Sequence, residues 1–249
     1  MEQQSTVTVL KKFVRSTFGK NNLWENARFL TAEIPLDKEN TQKILPLGMR
    51  LSNPPRGFLF IVDYKAPSFT VPYKEAALII HVKTPFGKGI HCPWMVVDDD
   101  TAMAYGRELL GYPKKMANIT FEEDGDTIRA SVSRRGIKVL ELSGVCGADI
   151  ESPPPVLDLK TFNVGGLGQC FFFNPIWLFR PKEFLNSSRE AAVNVTIQES
   201  ESDPIANFVS GDSISGRFSV LDIQGTRYYL PVGITSPIFF GRTFFMRFK

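Results

Sequence analysis

From Trp24 onward the chain is cut into short runs of apolar, β-branched and aromatic residues, and each run is closed by Gly, Pro, Ser or Asn within about ten positions. That punctuation constrains the fold more than any other feature, because it leaves little room for long helices. The runs include ARFLTAEIPL at 27–36, GFLFIVDY at 57–64, AALIIHV at 76–82, the apolar stretch through Trp177 and Phe179, and the segments 191–198, 205–209, 216–223 and 226–230. Asp124-Gly125 between residues 117–122 and 126–133 is a hairpin signal, and Arg135-Gly136 turns into IKVLEL, giving a three-stranded meander. Helical patterning is confined to residues 37–45, stopped by Pro46, and to the stretch after Asp98, Asp99 and Asp100. Residues 1–23 fit either a short amphipathic helix or a loose arm. The expected architecture is mainly β, an antiparallel barrel or cone-like curled sheet with a few short helices. The strands on both sides of Pro153-Pro154-Pro155 look alike, so residues 1–249 are expected to form a single domain with a long crossover at the prolines.

Several classes of function are disfavoured. The net charge of +3 arises from 29 basic and 26 acidic residues spread along the chain, with no basic tract interleaved with aromatics, which argues against a nucleic-acid partner. No run approaches the roughly 18 apolar residues of a membrane span, and the N-terminal stretch lacks the apolar core of a secretory signal; a soluble cytoplasmic protein is expected. Cys92, Cys146 and Cys170 are far apart and show no paired spacing, and His91-Cys92 has no matching ligand pair, so neither a disulfide scaffold nor a metal site is expected. His81 and His91 are the only histidines and there is no GxSxG elbow for a serine hydrolase. Gly165-Gly166-Leu167-Gly168 lacks a GK[S/T] ending and reads as a flexible turn, not a phosphate loop.

The segment that carries chemistry is AYGRELLGYPKKM, residues 104–116. Ala102, Tyr105, Gly106, Leu109 and Leu110 recur at helical spacing, Gly111 supplies a stop, and Pro113 fixes the exit, so Lys114 and Lys115 open a strand at a defined place. In an extended chain the two lysines point to opposite faces, and parity alone does not say which is inside. Glu75, at the threshold of the 76–82 run, is either a solvated strand end or a site residue.

GRELLGYPKK resembles the active-site motif of the acetoacetate decarboxylase family, in which the first lysine of the pair forms a Schiff base with a β-keto acid. The resemblance implies Lys114 as that nucleophile, Lys115 as its neighbour, Glu75 in a Tyr-x-Glu context as the proton-shuttling carboxylate, and Arg28 as the group that orients the substrate carboxylate or Glu75. It further implies a homo-oligomer acting on a small keto acid with no metal or organic cofactor, since the iminium is itself the electron sink. The chain departs from the family where some members carry a second glutamate: Leu59 and Phe60 stand about there, and Asp63 is the nearest carboxylate. Two alternatives remain: the same imine used for aldol or dehydration chemistry on a larger oxo-acid, and a catalytically silent barrel that binds small apolar ligands among its 21 phenylalanines, most of which are core.

The chemistry demands an unusual lysine. At a pKa near ~10.4 only about one amine in a few thousand is free at neutral pH. Activation of a lysine by a neighbouring cation is exemplified by this very family, so it enters with the resemblance. Because the two side chains diverge, burial is expected to be the larger influence, capable of shifts of up to ~3 to 5 units.

Overall fold

The computed structural model describes residues 22–169 and 173–249; the arm expected over the first 23 residues lies almost wholly outside them. Strands β1 (Trp24–Pro35), β2 (Arg50–Leu51), β3 (Arg56–Tyr64), β4 (Ala66–Pro67), β5 (Tyr73–Thr84), β6 (Gly87–Val97), β7 (Lys114–Met116), β8 (Asn118–Asp124), β9 (Thr127–Arg134), β10 (Ile137–Asp149), β11 (Thr161–Val164), β12 (Asn174–Ile197) and β13 (Ser215–Thr235) belong to one hydrogen-bonded sheet. The helices are α1 (Lys38–Lys43), α2 (Asp100–Glu108) and α3 (Ile238–Arg247). In the order β11-β6-β5-β3-β1-β13-β12 the sheet closes on itself, because β11 also pairs with β12. The meander β8–β10 continues outward from β12. Most pairings are antiparallel, but β6 pairs in parallel with both β7 and β11, so the barrel is mixed.

Closure explains why the central strands read as unbroken apolar runs: both of their faces are buried. On β1, Ala27 and Phe29 join a cluster with Phe60, Tyr73, Ala77 and Met95 inside the barrel. Leu30, Ala32 and Ile34 join a second cluster with Leu59, Leu78, Ile128 and Leu142, between the barrel wall and the folded-over meander. The period-2 alternation thus sorts side chains between a lumen and an outer core.

Two expectations need correction. The run 205–209 is not a strand; Ile205–Phe208 is a single 3-10 turn after Pro204, with Ile205 and Phe208 buried three apart, and Val209 alone bridges to Leu36. The breaks within Asn174–Ile197 and Ser215–Thr235 are not turns: each segment is one long strand, and the interruptions become register shifts such as those around Pro181 and between Leu185 and Ser187. The glycine cluster is a turn, as read from the sequence, closed by Gln169 N donating to Gly166 O at 3.1 Å; a Cβ on Gly166 would lie 2.8 Å from Leu109 O and 2.9 Å from Gly111 N, so the turn packs backbone to backbone on the end of α2.

Helix α3 was not expected at all. It is tied down by Lys115 Nζ donating to Phe245 O (2.9 Å) and Arg107 to Arg247 O (3.0 Å), while Arg134 reaches Lys249 O beyond it (2.8 Å). Among the described residues no helix is long and apolar enough to cross a membrane.

Candidate active site

The lysine pair is placed by a run of local signals. Asp99 caps α2 by accepting from Ala102 N at 2.7 Å, a contact worth about 1 kcal/mol. Gly111, at φ +68°, turns the chain out of the helix, with Tyr112 N donating to Gly106 O at 3.0 Å. Arg107 donates to Lys114 O (2.8 Å), Asn163 to Leu110 O (3.1 Å), and Tyr229 to Leu109 O, which fixes the exit.

Strand β7 then pairs with β6, Lys114 beside Met95 and Lys115 beside Val96. Met95 faces the lumen and Val96 the outer core, so the neighbours on β6 decide what sequence parity left open: Lys114 enters the barrel and Lys115 leaves it.

Lys114 is 6% exposed and Glu75 5%. Lys114 Nζ lies 2.5 Å from Glu75 Oε2 and donates to Ala102 O at 3.2 Å, with the Tyr73 ring centroid 5.9 Å away. Glu75 reaches this point because it shares a face of β5 with Tyr73, Ala77 and Ile79. The lysine lies directly on α2, where a Cβ on Gly106 would stand 2.4 Å from its Cε. Before them opens a cavity of about 130 Å³ whose wall includes Phe60, Tyr64, Tyr73, Ile79, Met95 and Tyr112. Among the described residues, Glu75 and Lys114 are the only Asp, Glu, Lys, Arg or His side chains in that wall. Burial, reinforced by the Glu75 charge, pushes the phenols of Tyr64 and Tyr73 well above their usual range; for Tyr112 burial is again the first cause. All three therefore remain protonated donors.

Lys115 has entirely different company. It is 5% exposed, and its Nζ meets Asp203 Oδ1 at 2.5 Å and donates to Ser202 O and Phe245 O, each at 2.9 Å. Burial lowers its pKa to about 8 against the opposing pull of Asp203. Asp203, fully buried, also accepts from Trp94 Nε1 (2.8 Å) and Arg134 Nη1 (2.9 Å). Burial pushes its carboxyl up, but the hydrogen bonds from Lys115, Trp94 and Arg134 prevail and hold it below the usual range.

Arg28 is not in the cavity. It shares the outward face of β1 with Leu30 and stands opposite Asp63 of β3, pairing with Glu123 of β8 at 2.5 Å. Lys65 lies 3.6 Å from Glu123 and 3.7 Å from Asp63, so Arg28 and Asp63 belong to one surface charge cluster. His91 and Cys92 are strand residues in the core, as read from the sequence; His91 Nδ1 lies 2.7 Å from Phe162 O and burial drives its pKa to about 4. Tyr73 and Trp24 in the cavity wall, and Asp203 beneath Lys115, were not anticipated. Tyr73 was within reach of period-2 reasoning from Glu75, whereas nothing in ESESDPI marks Asp203.

The structure therefore places a buried lysine and a buried carboxylate side by side at one cavity of a closed, mixed β-barrel. The family model described as acetoacetate decarboxylase matches residues 7–230, and the chain belongs to that family. It is 28% identical over 116 residues to acetoacetate decarboxylase 2 of Mesorhizobium japonicum, covering 47% of this chain and 44% of that protein, so the match spans about half the length of the relative. In structure it resembles the acetoacetate decarboxylase of Legionella pneumophila, with TM-score 0.74 and 16% identity over 85% of this chain and 86% of that one. It also resembles the enduracididine biosynthesis enzyme MppR complexed with pyruvate, with TM-score 0.71 and 13% identity over 84% and 89%.

Proposed function

We propose that this chain is a cofactor-independent Schiff-base lyase that decarboxylates a small β-keto acid such as acetoacetate to a methyl ketone and CO2. The observation that carries the reading is the Lys114 amine, 2.5 Å from Glu75, at the wall of a small apolar cavity. Lys114 attacks the ketone carbon as the free amine, its proton having passed to Glu75. The carbonyl oxygen leaves as water and a protonated imine remains. The bond to the carboxylate carbon breaks, its electron pair moves through the new C=C bond onto the imine nitrogen, and CO2 departs. The enamine carbon takes a proton from Glu75 or from water through it. Water then hydrolyses the imine, releasing the ketone and restoring the amine.

The mostly apolar wall, with Glu75 and Lys114 as its charged groups among the described residues, supports an oxo-acid with few polar groups beyond its ketone and carboxylate. Lys115 takes no part in bond making; it anchors the floor of the site to Asp203 and α3.

The test is borohydride reduction in the presence of acetoacetate or acetone. One covalent label per chain is expected, mapped to Lys114, together with CO2 release from acetoacetate. A label on Lys115 would remove the site assignment, label without CO2 would favour aldol or dehydration chemistry, and no label with any keto acid would leave a ligand-binding barrel.

A further inference from the structure

With Arg28 outside the barrel, no guanidinium in the described cavity wall can receive a substrate carboxylate. We infer that the phenol of Tyr73, oriented by the indole of Trp24, holds that carboxylate in place of an arginine, and that the site selects short 3-oxo monocarboxylates over oxo-diacids. This rests on the Schiff-base reading of Lys114.

Direction of hydrogen bonding is the first support. An indole N–H can only donate, and Trp24 Nε1 donates to Tyr73 Oη at 2.9 Å, which leaves the phenol proton to go elsewhere. Among the described residues no acceptor takes it. A buried hydroxyl without an acceptor is costly, and both Tyr73 and Trp24 line the cavity, so an acceptor bound there satisfies it.

Position is the second. Tyr73 precedes Glu75 by two residues on the same strand face, and its ring centroid lies 5.9 Å from Lys114 Nζ. In a 3-oxo acid the imine carbon and the carboxylate carbon are two bonds of about 1.5 Å apart, so the carboxylate of an adduct on Lys114 stays within the short span that separates Lys114 from the Tyr73 side chain.

The third support is energetic. A guanidinium pair would stabilise the carboxylate most in the ground state, and that stabilisation is lost as CO2 forms. A neutral phenol orients the carboxylate while holding back the reaction less. Apart from the iminium on Lys114, which serves as electron sink to the carboxylate that leaves, the same wall offers no cation to a second carboxylate, so a diacid would have to bury an unpaired charge.

The experiment compares Tyr73→Phe, Trp24→Phe and Arg28→Ala in steady-state decarboxylation of acetoacetate and 3-oxoglutarate and in borohydride trapping with acetone, which has no carboxylate. Tyr73→Phe is expected to raise KM for acetoacetate about tenfold while acetone trapping stays within about twofold, the pattern of a lost hydrogen bond to a charged group. Trp24 acts as a positioning residue, and Trp24→Phe should shift KM in the same direction by about threefold with trapping unchanged. Arg28→Ala should leave both within about twofold, and 3-oxoglutarate should turn over at least about tenfold less efficiently than acetoacetate in the unaltered protein. Equal losses in both assays for Tyr73→Phe and Trp24→Phe, a KM rise confined to Arg28→Ala, or equal use of the diacid would overturn this inference alone. Failure of the unaltered protein to trap acetone at Lys114 would overturn the Schiff-base reading itself, and this inference with it.

Discussion

Lys114 and Lys115 are adjacent, equally buried and each 2.5 Å from a carboxylate, yet the structure gives them different surroundings. An ammonium has three donors. At Lys115 all three are filled, by Asp203, Ser202 O and Phe245 O, and the side chain is locked into the outer core. Lys114 is ion-paired with Glu75, donates to Ala102 O, and lines the cavity. Depth therefore does not separate the two lysines; the partners around each amine and the open space beside Lys114 do. Nor does a lowered pKa mark a lysine of the cavity, since burial takes Lys115 to about 8 although it lines no part of that cavity.

The comparison breaks most completely at Lys114 itself. Lys114→Arg should abolish borohydride labelling, because a guanidinium stays protonated at any working pH; label persisting elsewhere in the chain would end the contrast. Glu75→Gln comes next, keeping the shape but removing the base. Turnover should fall about 10²- to 10⁴-fold while trapping falls far less, and equal losses would make Glu75 a binding group only. Gly106→Ala sharpens the geometry without touching a reacting atom. Its methyl would stand 2.4 Å from Lys114 Cε and 3.0 Å from Nζ, so the lysine side chain must leave its position beside Gly106. Displacement of about 1 Å can cost about 100-fold, and labelling should slow by that order with an unchanged circular dichroism spectrum. Unaltered labelling would show that Lys114 attacks from another rotamer.

What the sequence disclosed, and what it hid, follows from range. The helix cap at Asp99, the stop at Gly111, the start of β7 at Lys114 and the Asp124-Gly125 hairpin are local events, and all were legible. The barrel class was legible because a strand buried on both faces reads as an apolar run. Which lysine enters the lumen was not, since it depends on the parallel pairing of Lys114 with Met95, nineteen positions upstream, and on the face Met95 takes. Arg28 illustrates the same limit in reverse: family resemblance put it in the site, but its register beside Asp63 turns it to the outer surface. Helix α3 was hidden because IFFGRTFFMR resembles a β-prone run until it docks against β6 and the lysine anchor. Asp203 lies in a polar loop sequence, and only the fold brings it beneath Trp94, Arg134 and Lys115.

Asp203→Asn tests the anchor side of the comparison, where the expected loss is in stability more than in chemistry. The substitution leaves Lys115 and Arg134 buried or nearly so with no carboxylate, and breaking such a pair typically costs about 3 to 5 kcal/mol. The effect must depend on pH in a definite direction. The Asp203 carboxyl is held below its usual range in the folded chain, so it binds fewer protons than when unfolded. Its contribution is fully present above the unfolded value near ~3.9 and is lost as pH falls through the lower folded value. Denaturant melts should therefore show a large gap between the unaltered and Asn proteins at pH 7, and that gap should narrow as the pH falls below about 4. Under conditions where the variant is still folded, Lys114 should label at close to the original rate. A gap that does not change with pH would mean that the carboxylate charge is not what holds Lys115. Loss of labelling in the folded variant would mean that the anchor and the nucleophile, though facing opposite sides of one short strand, are not independent.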